Sequence, residues 1–223
     1  MVKLSIVVPV LNEAHALPAL LQRLSTLLHD GCEVIIVDGG STDGSRAIAG
    51  QAGFTVVHSA RGRARQMNAG AALASGQALL FLHADTCLPD GAAVLMAAAL
   101  QTSCWGRFDV HIAGRPRMLR VIGCMMNWRS RLSGIATGDQ AMFVSRAAFD
   151  MAGGFPDQPL MEDIELSTRL RQLARPACLR QRAITSGRRW EANGVWRTML
   201  LMWRLRFAYW RGVPAGRLAE AYR

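Results

Sequence analysis

The first third of the chain alternates between short apolar blocks and amphipathic stretches. Leu4 to Val10 is an almost unbroken apolar run, closed by Pro9 and the turn Leu11-Asn12-Glu13. Alanine and leucine then recur at helical spacing from Ala14 to Leu28, and Gly31 stops that helix. Glu33 to Val37, Phe54 to His58 and Ala78 to Leu82 repeat the apolar block. Between them the pattern predicts a helix running to Ala49, capped by Ser41 or Thr42, and another from Gly62 to Ala74 that Gly76 ends. Strand and helix alternate four times. Continuous apolar strands of this kind form a mostly parallel sheet with helices on both faces, so an α/β fold is expected.

Beyond Leu82 the rhythm loosens. Asp90 to Leu100 reads as a helix after Pro89, Trp105 to Ile112 as an alternating strand, and Pro116 to Leu132 as a helix. Ala141 to Val144 is a short strand that feeds the helix Arg146 to Met151. A glycine-rich loop, Gly153-Gly154-Phe155-Pro156, leads to a helix from Met161 to Leu173 that opens in acids, as the helix dipole favours. Ala183 to Arg189 reads as a mobile basic loop. In the helix Val195 to Trp210, the residues Trp196, Met199, Leu200, Trp203, Phe207 and Trp210 recur at spacings of three and four, with Arg197, Arg204 and Arg211 set off from them. Such a stripe suits a core contact with snorkelling arginines, a membrane surface, or a homodimer contact. The expected division is an α/β domain over residues 1–190 and a C-terminal amphipathic helix over 191–223.

Composition narrows the class. The chain has 223 residues, 51% hydrophobic and 19% charged, which suits one packed core and excludes disorder. Twenty-six basic against sixteen acidic residues give a net charge of +10. Lys3 is the only lysine, so the positive charge is arginine, which pairs bidentately with phosphates and carboxylates. Arginine-favouring base composition is the competing explanation of that bias. Five scattered cysteines, with no C-x-x-C pair, read as reduced thiols of a cytoplasmic protein. No signal peptide and no spanning apolar run is evident.

The chemistry gathers where apolar strands end in acids. Val34 to Val37 runs into Asp38 and the turn Gly39-Gly40-Ser41-Thr42-Asp43, and Leu79 to Leu82 runs into His83-Ala84-Asp85. In open α/β sheets ligands bind at that end of the strands. Two carboxylates beside a tight turn there suggest a phosphate-and-metal site. Arg61, Arg63 and Arg65 arrive at the start of a helix, where free N–H groups favour anions. No G-x-G-x-x-G follows a strand, which speaks against a dinucleotide-dependent oxidoreductase. His15, His29, His58 and His111 stand at no metal-ligand spacing.

Five segments in order resemble family 2 glycosyltransferases of the GT-A fold, over roughly Leu4 to Trp190. They are Val8-Pro9-Val10-Leu11-Asn12-Glu13, Val37-Asp38-Gly39-Gly40-Ser41-Thr42-Asp43, Asn68-Ala69-Gly70, His83-Ala84-Asp85 and Met161-Glu162-Asp163. Leu82-His83-Ala84-Asp85-Thr86 and Gly138-Asp139-Gln140 resemble a subgroup described as radical-SAM/selenodomain-associated transferases. The resemblance implies a nucleoside-diphosphate sugar donor, with UDP favoured by family frequency. It also implies an acceptor hydroxyl, inversion at the anomeric carbon, and no nucleic-acid partner.

By resemblance, Pro9, Asn12, Glu13 and Asp38 hold base and ribose. Arg61, Arg65 and Asn68 approach ribose or diphosphate, with His83 and Ala84 beside them. Many members carry a second acid where this chain has Gly39, which leaves the base open. Asp85 matches the last acid of the Asp-x-Asp motif that holds Mn²⁺ or Mg²⁺ with the diphosphate. His83 replaces the first acid, and ligation, ribose contact or neither are open to it. Asp163 matches the catalytic base, with Glu162 in support and Asp139 as the rival base. Arg189 and Trp190 resemble the end of a Gln-x-x-Arg-Trp motif, here without its glutamine, on a loop suited to closing over the donor. A sugar-phosphate nucleotidyltransferase and a non-catalytic nucleotide-sugar binder are the competing readings.

Overall fold

The computed structural model describes residues 3–222. The parallel half comes first: β1 Leu4–Val10, α1 Leu17–His29, β2 Glu33–Asp38, α2 Ser45–Gln51, β3 Thr55–His58, α3 Arg63–Leu73 and β4 Ala78–Phe81. There follow β5 Thr86–Cys87, α4 Ala92–Ala99, β6 Trp105–Ala113, α5 Met118–Ser133, a 3₁₀ turn Gly138–Gln140, β7 Met142–Ser145 and α6 Arg146–Met151. The chain ends with α7 Glu162–Leu173, β8 Ala177–Ser186, α8 Arg188–Asn193, α9 Val195–Trp210 and α10 Ala215–Tyr222.

One eight-stranded sheet runs β3-β2-β1-β4-β7-β6-β8-β5. β3, β2, β1 and β4 are parallel. β7 is antiparallel to β4 and to β6, β8 is parallel to β6, and β5 closes the edge antiparallel to β8. The chain leaves β1 on one side for β2 and returns on the other as β4. Their carboxyl ends part there and open a crevice.

Strand alternation explains the layers. Ile6, Val8 and Ile36 face one side and pack with Leu17, Leu20, Leu21 and Leu24 of α1 and Met96 of α4. Val7, Ile35 and Val37 face the other and pack with Ala64, Met67 and Ala71 of α3. Each fully buried leucine contributes about 2 kcal/mol from apolar area. α3 approaches closely because it carries Gly70, where a Cβ would strike Val7 and Val37. Gln66 of the same helix is buried, and its amide donates to Val10 O and Val37 O, both at 2.8 Å. It ties the two strand ends that border the crevice.

Three expectations are corrected. Ser41 and Thr42 do not cap α2, whose cap is Gly44 at φ 86°. They clasp the first turn instead: Ser41 Oγ accepts from Asn12 N at 2.9 Å, and Thr42 N donates to Asn12 Oδ1 at 2.9 Å. Residues 183–189 are not a loop. They are the end of β8 and the start of α8, held by pairing with β6 and β5 rather than by apolar content. The helix α3 begins at Arg63, one residue later than expected, so Arg61 and Gly62 precede it.

The C-terminal pair α9 and α10 packs on the domain through Leu205 and Leu218 against Leu160 and Met161. The aromatic stripe of α9 faces outward. All five cysteines are free thiols. Among the described residues, no helix is long and apolar enough to cross a membrane.

Candidate active site

A cleft of about 720 Å³ opens at the carboxyl ends of β1 and β4. Pro9, Leu11 and Glu13 form one wall and His83, Ala84 and Asp85 the floor. Because β7 runs antiparallel, its start lies beside the end of β4, with Phe81 paired to Met142. That register carries Thr137, Gly138 and Asp139 to the cleft. The Thr137 and Gln140 side chains bond reciprocally to each other's backbone and set the 3₁₀ turn.

The glycine-rich loop ends in Met161, which holds φ 65° and starts α7 at an angle that aims Glu162 and Asp163 inward. Asp163 is fixed by two N–H groups, Gly138 at 2.9 Å and its neighbour Ile164 at 2.8 Å. Gly138 has no room for a side chain, since a Cβ there would overlap the His83 ring. His83 Nδ1 stands 3.6 Å from Asp139 Oδ1.

Electrostatics separate the carboxylates. Desolvation pushes the Asp163 carboxyl above the ordinary range, partly offset by its two N–H donors. Desolvation and the neighbouring Asp163 charge likewise raise Glu162, against the opposing pull of Arg63. Desolvation also pushes Asp139 upward, but His83, Arg63 and Arg189 outweigh it and hold that carboxyl below its usual value. Desolvation raises Asp85, helped by the charges of Asp139 and Glu13 and opposed by His83 and Arg188. Arg63, although exposed, stays strongly cationic: partial desolvation at the cleft works against it, and Glu162, Tyr222, Asp139 and Asp163 overcome that.

The lid region is structured. Arg188 of α8 reaches Glu13 Oε1 at 2.5 Å and lies 3.6 Å from Asp85. Arg189 donates to Tyr222 O at 3.0 Å and stacks 3.6 Å over the Tyr222 ring. Trp190 lines the cleft and packs near Leu119 and Ile122.

Of the expected residues, Pro9, Glu13, Arg61, His83, Ala84, Asp85, Asp139, Glu162, Asp163, Arg189 and Trp190 line this cleft. Four are placed elsewhere. Arg65 is drawn to Asp157 at 2.8 Å on the surface. Asn68 pins the glycine-rich loop, exchanging two bonds with Phe155 at 2.8 and 2.9 Å. Asn12 is held in the clasp with Ser41 and Thr42. Asp38 is buried, accepts from Gly40 N and Ser41 N, and shapes that turn. Arg63, Arg129, Arg188 and Tyr222 are cleft residues that the sequence reading did not select. For Arg63 the signal was present in the arginine cluster at the start of α3, where it holds the first helical position.

Residues 5–149 match the model of the family described as Glycosyl transferase family 2. The chain belongs to this family. As a family 2 glycosyltransferase it has curated relatives in Mycobacterium tuberculosis and Mycobacterium bovis, each called a PGL/p-HBAD biosynthesis glycosyltransferase. Each is 36% identical over 102 residues, 43% of this chain and 40% of the relative. The match therefore spans about two fifths of those relatives' length.

Solved structures share the fold at lower identity. The mannosyltransferase PcManGT from Pyrobaculum calidifontis, in complex with GDP-Man and Mn²⁺, superposes with a TM-score of 0.65 at 21% identity, covering 99% of this chain and 69% of that one. S. aureus TarS 1-349 in complex with UDP-GlcNAc gives 0.65 at 19%, covering 82% and 58%. The glucosyl-3-phosphoglycerate synthase from Mycobacterium tuberculosis, with Mn²⁺ and UDP, gives 0.57 at 18%, covering 82% and 71%.

The donor set suits a divalent cation that brings part of its own coordination. Among the described residues no cluster of three or more His, Cys, Asp or Glu forms a complete metal cage. Glu13, Asp85 and Asp139 nevertheless concentrate negative charge in the cleft, and the half-exposed Arg188 stands 3.6 Å from Asp85. A hard ion with one carboxylate, phosphate oxygens and water fits such a place.

Proposed function

We propose that this chain moves a glycosyl group from a nucleoside-diphosphate sugar to an acceptor hydroxyl, with inversion, aided by Mn²⁺ or Mg²⁺ at Asp85. One observation carries the reading: a strand-end carboxylate, Asp85, and a helix-start carboxylate, Asp163, converge on one arginine-walled cleft. The nucleotide sugars bound in the PcManGT and TarS structures, GDP-Man and UDP-GlcNAc, are consistent with it.

In this reading the diphosphate lies between Asp85 and the arginines, and the sugar projects toward α7. When bound, the metal supplies charge neutralisation at the leaving diphosphate. Arg188 adds fixed positive charge beside Asp85, and Arg63 adds it among Glu162, Asp139 and Asp163. The acceptor oxygen forms its bond to the anomeric carbon as the bond from that carbon to the phosphate oxygen breaks. The acceptor proton passes to the Asp163 carboxylate, and the nucleoside diphosphate departs with the electron pair. A base with a raised pKa is the better proton acceptor, which favours Asp163 over the depressed Asp139. Glu162 and the Gly138 N–H position Asp163. Trp190 and α8 border the donor and exclude water.

A thermal-shift panel of UDP and GDP sugars, each with and without Mn²⁺, tests the reading. A ligand at about a hundred times its dissociation constant adds about 2.7 kcal/mol. At least one donor should raise the melting temperature, and more so with metal. A flat response to every member would overturn the proposal.

A further inference from the structure

Two helices that line the cleft, α5 and α9, carry large apolar side chains that the fold does not cover. On α9, Trp196, Leu200, Trp203, Phe207 and Trp210 are 54% to 77% exposed. On α5, Val121, Met125, Trp128 and Leu132 are 49% to 72% exposed. In both, the residues follow one another at steps of three and four, which is one face of a helix. Each stripe borders the face that lines the cleft, with Trp203 and Met125 belonging to both. The cleft is therefore bordered by two exposed apolar ridges.

Resting on the transfer reading above, we infer that these ridges seat the protein on an anionic lipid bilayer, and that the acceptor is an amphiphile entering the cleft from it with an anionic group held by Arg129. Aromatic and aliphatic side chains edged by arginine are what the headgroup boundary accommodates. Arg197, Arg204 and Arg211 are exposed along one flank of the α9 stripe, and Arg117 is exposed in line with that of α5. With a net charge of +10, such a face repels its own copy and attracts anionic lipid. A second copy would also seal the cleft that a bilayer would feed.

The cleft wall supplies the matching headgroup contact. Arg129 projects into it from α5, and its buried Nε and Nη2 have no hydrogen-bond partner among the described residues. Two buried N–H groups on one edge of a guanidinium without an acceptor are costly, so their natural complement is a phosphate or carboxylate bound bidentately.

Flotation of the full chain with vesicles separates docking from catalysis. The chain should float with vesicles holding about 30 mol% phosphatidylglycerol and bind neutral phosphatidylcholine about tenfold more weakly. Trp128→Glu, or Phe207→Glu with Trp210→Glu, should lower partitioning about tenfold. These side chains are exposed, so the donor-induced thermal shift should persist. Absence of vesicle binding overturns the inference. So does a dimer in light scattering that the same substitutions dissolve, since the surface then belongs to a second copy. Dodecyl phosphate should bind about tenfold more tightly than dodecanol, and Arg129→Gln should erase the preference. Equal binding of the two amphiphiles by the unaltered chain overturns the headgroup assignment.

Discussion

Arg188 and Glu13, 175 residues apart, meet across the cleft with 2.5 Å between Nη2 and Oε1, and the same guanidinium lies 3.6 Å from Asp85. A side-chain cation thus stands where the proposed metal would bring its charge, and the two should compete in the donor-free protein. An ion pair this exposed is worth about 1 kcal/mol or less. Arg188→Gln should therefore tighten Mn²⁺ binding to the donor-free protein by up to about fivefold, while slowing turnover because the guanidinium no longer faces the diphosphate. Calorimetric titration with Mn²⁺ checks the first effect. Unchanged or weaker metal binding would show that the two cations do not share a place.

The carboxylates predict a distinct pH response. Asp163 must be ionised to accept a proton and its pKa is raised by desolvation, so the acid limb of kcat/KM should lie above the ordinary carboxylate range. Asp163→Asn should cost about 10³-fold in turnover while sparing donor affinity, and Asp139→Asn about tenfold. The reverse order of losses would move the base to Asp139.

The same raised values have a stability consequence. A carboxyl whose folded pKa is raised holds its proton more tightly folded than unfolded. That contribution is complete below the unfolded value and is lost as pH climbs through the folded one. Glu162→Gln removes a buried charge with this penalty. The variant should be more stable than the parent at pH 8 by about 1 kcal/mol, and the difference should close toward about pH 4. Urea unfolding at both pH values measures it. A difference that grows in acid would refute the assignment.

Gly138→Ala tests the joint between His83 and the proposed base, Asp163. The added methyl must displace His83 or the 3₁₀ turn, and with the turn goes the N–H that holds Asp163. A loss of about 1–3 kcal/mol in stability is expected from overpacking. Turnover should fall more than donor binding, which steady-state kinetics beside a thermal-shift titration would resolve.

Behind the cleft, Arg107 is fully buried and pairs with Asp109, which also accepts from Arg131 at 2.8 Å. Ser130 Oγ and Asn127 O complete the guanidinium's bonds at 3.0 and 3.2 Å. Asp109→Ala leaves that charge buried without its partner and should cost about 3–5 kcal/mol. The melting temperature should fall by about 10 °C. Arg107→Met with Asp109→Leu should recover much of the loss.

The sheet was legible where strands lie buried on both faces. The limits of β1 and of α6 and α9 coincide with those read from apolar runs and spacing. β8 was missed because Arg180, Gln181 and Arg182 interrupt its apolar pattern, and its pairing with β6 is a property of the assembled sheet. The acids of the cleft were visible because each follows a strand or opens a helix after glycines. Arg63 was read with Arg61 and Arg65 as one cluster at a helix start, and only the assembled cleft separates it from Arg65, which turns to Asp157. The stacking of Arg189 on Tyr222 and the reach of Arg188 to Glu13 depend on how the C-terminal helices fold back, which no local pattern encodes.

β4 and β7 lie side by side in opposite directions over four paired residues. The loops expected to hold the donor hang from the parallel side of that seam, and those expected to greet the acceptor from the other. Descendants of this chain can accordingly exchange one trait without surrendering its counterpart: recasting α5 or the segment ahead of Gly138 would redirect which molecule is decorated, while the inherited taste for an activated sugar persists.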